Sequence, residues 1–98
     1  MEFQTVPEAF ESKIRIAVMA CLIDGEKDWG SLKEITGASD GNLSTHLAKL
    51  ENSGYIHINK TFLKKRPHTT YCLTSKAICE FREYVDMLEQ LINKKTDS

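Results

Sequence analysis

Residues 39–58 read SDGNLSTHLAKLENSGYIHI. Leu43, Leu47 and Leu50 recur at the spacing of one helical face, which predicts a helix buried along that face. Projected at about 100° per residue, Asn42, Thr45 and Lys49 cluster on the opposite side, with Ser44 and His46 on the two flanks. Ser39 has the chemistry of an N-cap and Gly54 that of a C-terminal stop, so the helix is expected over about 39–52. After Gly54 the period changes. In YIHINKTF, Ile56 and Ile58 alternate with His57 and Asn59, the pattern of a strand with one buried face.

Upstream, KIRIAVMACLID places Ile14, Val18, Cys21 and Leu22 at helical spacing, with Pro7 where a first turn could begin and Gly25 as a stop. The polar stretch GEKD reads as a loop. It leads into WGSLKEITG, a short second helix capped by Asp28 or Ser31 and ended by Gly37. Only two or three residues separate this helix from the next, the spacing of a helix-turn-helix.

Downstream, HTTYCL is a second strand with Tyr71 and Leu73 on one face, and LKKRP between the strands is a basic turn whose proline blunts further pairing. Thr74 then caps a last helix running to about Lys94. Ala77, Phe81, Tyr84, Leu88 and Leu91 form one apolar row on it, and Ile78, Val85 and Ile92 form a second beside the first. A stripe that wide exceeds what a two-stranded hairpin can cover. Phe81, Tyr84, Val85, Leu88, Leu91 and Ile92 are therefore expected at the interface of a two-fold homodimer. The fold class is α+β and mostly helical: a winged helix-turn-helix with a two-stranded basic wing and a long C-terminal dimerisation helix. The whole chain, 1–98, forms one domain, with the helix-turn-helix at about 29–53, the wing at about 55–73 and the last helix at about 75–94.

Ninety-eight residues with 41% hydrophobic and 28% charged side chains suit one globular core rather than a disordered chain. No apolar run approaches the ~20 residues of a bilayer span, and MEFQTVPEAF lacks the basic start and apolar segment of a signal peptide. A cytoplasmic protein without a membrane partner is expected. The net charge of −1 hides an asymmetry: residues 60–71, KTFLKKRPHTTY, carry +4 and no acid, leaving −5 on the rest. One basic patch on an acidic body fits an anionic partner docked at one place. Cys21, Cys72 and Cys79 are odd in number and lack CxxC spacing, which argues against a disulfide framework or a zinc site and for small buried hydrophobes. No metal or cofactor is expected. Nor is enzymatic activity, since no nucleophile–base motif, glycine-rich phosphate loop or framed carboxylate pair is present.

Helix, helix-turn-helix, basic hairpin and long helix is the order of a winged-helix DNA-binding domain. The strings LKEITGASDGNLSTHLAKLENSGYI and KRPHTTYCLT resemble the compact MarR/ArsR-like winged-helix transcriptional regulators of bacteria and archaea, over about residues 10–92. The run Leu73-Thr74-Ser75-Lys76-Ala77 departs from the resemblance, because such relatives usually carry a glycine soon after the Leu-Thr pair. The resemblance implies a sequence-specific regulator, a dimeric repressor on a pseudo-palindromic operator, with an unidentified small-molecule effector left open as a partner.

In a helix-turn-helix the outer face and N-terminus of the second helix enter the major groove. Asn42 suits an adenine edge and the Thr45 methyl a thymine methyl, with Ser39, Gly41, Ser44, His46 and Lys49 completing the contact set. Gly41 lets the helix start approach closely, and the first-turn amides with Ser39 suit a phosphate. Asp40 favours the helix dipole and reads as structural. On the wing, Lys64, Lys65 and Arg66 are expected at the minor groove, and Lys60, His68 and Thr69 at the backbone. The alternative is a winged-helix protein-interaction module without specific DNA binding.

Overall fold

The computed structural model describes residues 1–96; the last two residues of the expected 1–98 domain lie outside the described residues. Four helices and three strands follow one another as α1 (Lys13–Leu22), β1 (Lys27–Asp28), α2 (Trp29–Thr36), α3 (Asp40–Asn52), β2 (Ile56–Leu63), β3 (Arg66–Leu73) and α4 (Ser75–Thr96). Two 3-10 turns, Phe3–Thr5 and Glu8–Phe10, precede them.

The first departure from expectation is the start of α1. Pro7 caps the separate turn Glu8–Phe10 rather than opening the helix. The helix begins at Lys13 because Ser12 is extended and its hydroxyl accepts from the Arg15 N–H at 3.3 Å. Its buried residues are Arg15, Val18, Met19 and Leu22, so the core stripe is turned away from Ile14 and Cys21, which are only half-buried.

GEKD is not simply a loop. Lys27 and Asp28 pair antiparallel with Tyr71 and Thr70, making a three-stranded sheet of order β1-β3-β2 rather than a two-stranded wing. Two residues are too few to show a strand period, and Asp28 serves twice: extended, it ends the strand, and its carboxylate accepts from the Ser31 N–H at 2.8 Å to cap α2. That hydrogen bond holds the Asp28 carboxyl below its ordinary range.

Gly37 closes α2 in the left-handed conformation, φ 66°, with its N–H on the Lys33 carbonyl at 2.9 Å. Ser39 caps α3 two residues later, its hydroxyl accepting from the Asn42 N–H at 3.2 Å. At the other end of α3, Gly54 (φ 79°) donates to Glu51 at 3.0 Å and Tyr55 to Leu50 at 2.9 Å. This pair of bonds is a Schellman closure, and it turns the chain straight into β2. The Thr74 hydroxyl bonds the Gly54 carbonyl at 2.7 Å and accepts from the Ala77 N–H at 3.2 Å, so one side chain both caps α4 and ties it to the end of α3.

Leu43, Leu47 and Leu50 are buried as their spacing predicts and meet Val18, Met19, Leu32 and Ile56 in the core. Burying each is worth about 1.5–3 kcal/mol, more than the polar face of α3 returns by itself. The N-terminal turn adds a layer the sequence did not announce. Phe10 is buried and stacks on Tyr84 at 4.8 Å between ring centroids, with Tyr55 and Phe81 each at 6.1 Å.

Candidate nucleic-acid interface

With its leucines buried, α3 presents the rest to solvent. Ser39, Gly41, Asn42, Ser44, Thr45 and Lys49 are all exposed. Asp40 forms an ion pair with Lys33 of α2, which draws the one carboxylate of the first turn toward a cation. A Cβ built on Gly41 would meet nothing within 4 Å, so no internal packing demands a glycine there. Helix propensity alone favours alanine by about 1 kcal/mol.

His46 is placed differently from the other residues of this set. It is half-buried, with Nδ1 3.2 Å from Nη1 of Arg15. A guanidinium only donates, so Nδ1 accepts and the neutral ring carries its proton on Nε2. Arg15 is itself buried, and donates from Nε to the Ala9 carbonyl at 3.2 Å and from Nη2 to the Glu8 carbonyl at 2.8 Å. Burial of the His46 ring, then the charges of Arg15 and Lys49, lower its pKa from the ordinary 6.5. The flank position thus anchors α3 to α1 and to the N-terminal turn. Arg15 escaped sequence reasoning, although its place in the stripe of Val18, Met19 and Leu22 was the available signal.

The wing is longer and tighter than LKKRP suggests. β2 and β3 pair without a break from Ile56↔Leu73 to Leu63↔Arg66, leaving only Lys64 and Lys65 in the turn. Both lysines have positive φ, 51° and 67°. A two-residue turn of this kind matches the right-handed twist of the strands but normally takes Asn-Gly, which is why lysines did not signal it. Lys60, Lys64, Lys65 and Arg66 are exposed, while His68 and Thr69 are half-buried. Register places Lys60 opposite Thr69 on one face and His68 opposite Thr61 on the other, so these three residues do not form one group.

On α4 the expected interface set divides. Phe81 and Tyr84 are half-buried against Phe10 of the same chain. Val85, Leu88, Leu91 and Ile92 remain exposed, Ile92 at 64%. Cys21 and Cys72 are half-buried, whereas Cys79 is exposed on α4 and corrects the expectation of three buried thiols. Among the described residues no group of three or more His, Cys, Asp or Glu side chains is arranged to hold a metal, and no helix is long and apolar enough to cross a membrane.

A family model described as the winged helix DNA-binding domain matches residues 14–92. An uncharacterized protein of Methanocaldococcus jannaschii is 35% identical over 83 residues, which cover 84% of this chain and 90% of that protein. Among solved structures, a protein of Enterococcus faecalis described as a transcriptional regulator of the MarR family superposes with a TM-score of 0.81 at 22% identity, covering 100% of this chain and 96% of its own. Bacillus subtilis PadR in complex with operator DNA superposes with a TM-score of 0.64 at 20% identity, over 71% of this chain and 45% of PadR. At these identities the structural likeness speaks for the fold.

Proposed function

The chain belongs to the family of winged helix DNA-binding domains, and from that premise we propose that it is a sequence-specific transcriptional regulator of double-stranded DNA that acts as a homodimer. The observation that carries the proposal is the division of α3. Its leucine row is buried, while Asn42, Thr45, Lys49 and an open Gly41 face solvent beside an N-terminus capped by Ser39. Asn42 and Thr45 read base edges, and Lys49 takes a phosphate or a guanine. The first-turn amides receive a phosphate, and the cations of the wing fix the register on the duplex.

The exposed row Val85, Leu88, Leu91 and Ile92 supports self-association through α4, since a lone helix gains nothing from displaying it to water. Two copies related by a two-fold axis place their recognition helices on half-sites about one helical turn, ~10 bp, apart. Repression by occlusion of polymerase is the simplest outcome of such binding. Such a protein works in the cytoplasm.

A fluorescent duplex from the gene's own upstream region, titrated beside a shuffled duplex at two salt concentrations, tests the proposal. Preference for the native duplex by ~10³-fold or more, weakening with salt, is the expected result. Absence of binding to any duplex at low salt overturns it and favours a protein-interaction module.

A further inference from the structure

The wing carries something its charges do not explain. Because β2 and β3 pair continuously, their side chains alternate between two faces. One face runs Ile58 with Tyr71, Lys60 with Thr69, and Phe62 with Pro67; the other runs Thr61 with His68 and Leu63 with Arg66. The first face starts in the core, where Tyr71 is buried, and leaves it at Lys60. It ends at Phe62, which is 78% exposed, and Leu63 on the opposite face is 58% exposed. Proline has no N–H, so Phe62 and Pro67 form a non-hydrogen-bonded pair, the kind in which facing side chains approach most closely. The pyrrolidine therefore sits across from the ring and backs it.

Lys60 shares the face of this ring, Lys64 and Lys65 form the turn beyond it and Arg66 lies on the opposite face, with no acid anywhere in residues 60–71. The two turn lysines hold left-handed backbone that asparagine and glycine adopt more readily. Strain kept at such positions accompanies function; here it keeps two cations at the tip. An open aromatic ring inside a cationic collar fits a polyanion with an apolar interior.

We propose that Phe62 is an apolar wedge for the minor groove. Lys60, Lys64, Lys65 and Arg66 engage phosphates on the two rims, and the ring enters at one base step, partly unstacks it and bends the duplex. This rests on the reading of the chain as a DNA-binding regulator and adds to it a second element of sequence choice. Flexible pyrimidine–purine steps yield to a wedge most easily, so the operator carries one under the wing without any hydrogen bond to it. A lipid surface fits less well. Phe62 and Leu63 point to opposite faces of the ribbon, and a flat surface takes one of them at a time, whereas a groove has two walls.

The test begins with the duplex that the wild-type protein selects from a random pool, labelled at its ends for energy transfer and carrying 2-aminopurine at steps beside the α3 footprint. Wild-type binding is expected to shorten the end-to-end distance and to raise fluorescence at one step. Phe62→Ala, a change at an exposed side chain, is expected to bind about tenfold more weakly and to lose both signals, while base preferences under α3 persist. If Phe62→Ala bends and unstacks the duplex as the wild type does, the wedge is overturned and the regulator reading stands. If the wild type selects no duplex, both fall. If vesicles containing phosphatidylserine sediment the wild type but not Phe62→Ala, and the bend is unchanged, the tip is a lipid anchor and the wedge is overturned.

Discussion

Nη1 of Arg15 lies 3.2 Å from Nδ1 of His46, a bond from the first turn of α1 to the flank of α3. It is buried on the arginine side and leaves α3 with a fixed rotation about its axis, because the same guanidinium is held by the Glu8 and Ala9 carbonyls. The helix assigned to base reading is thus oriented by leucines on its underside and by one polar bond on its edge.

That bond makes stability depend on pH. The folded state lowers the pKa of His46 from 6.5, chiefly by burial, so between the lowered value and 6.5 the unfolded chain binds more protons. Stability is then complete above about 6.5 and falls as the pH drops below it. Thermal midpoints from about pH 8 to about pH 5 are expected to show this loss. His46→Gln, which accepts from Arg15 without titrating, is expected to flatten it.

Gly41→Ala separates folding from recognition. Beyond the adjoining residues and the backbone of its own helix, nothing lies within 4 Å of the added Cβ, so denaturant titration is expected to show a gain of about 0.5–1 kcal/mol. In the proposed complex the same methyl occupies the space between the helix start and DNA, and operator affinity is expected to fall. A gain in both would remove Gly41 from the contact surface.

Base reading by α3 predicts a loss of affinity for the operator rather than for DNA in general. Asn42→Ala or Thr45→Ala is expected to cost about 1–3 kcal/mol on the operator and little on random duplex. Competition binding checks this, and equal losses on both duplexes would remove these residues from base contact.

At the wing turn, replacing Lys64 by Asn together with Lys65 by Gly relieves the left-handed backbone of both lysines. A stability gain of about 1–2 kcal/mol is expected. If both lysines contact phosphates, four contacts are lost per dimer, so the slope of log K against log salt is expected to shrink by about 4. An unchanged slope would place the tip away from the phosphates.

On α4, Leu88→Glu introduces a charge into the exposed apolar row. Sedimentation is expected to show a monomer that keeps its helical signal and loses cooperative operator binding. A dimer that survives the change would move the interface elsewhere.

The elements legible in the sequence were those whose signals are local. Ser39, Gly37 and Gly54 marked helix ends by their own chemistry, and Leu43, Leu47 and Leu50 marked the buried face by period. What stayed hidden depended on distant partners. Lys27 and Asp28 become a strand only because Thr70 and Tyr71 lie beside them. Arg15 begins the core stripe of α1 because two carbonyls and an imidazole await it, partners that the apolar spacing of Ile14, Val18, Cys21 and Leu22 does not reveal. The packing of Phe81 and Tyr84 on Phe10 stayed hidden because nothing in their own helix points to it.

The contact between Phe10 and Tyr84 also bears on how the protein is made. The ribosome releases Phe10, and the Glu8 and Ala9 carbonyls that grip Arg15, long before Tyr84. Contacts of such wide sequence separation form late. A nascent chain can therefore complete α3 and its leucine packing well before the strap that orients it has been pinned from behind. The N-terminal turn that holds Arg15, and through it the edge of α3, is thus backed only once α4 has emerged.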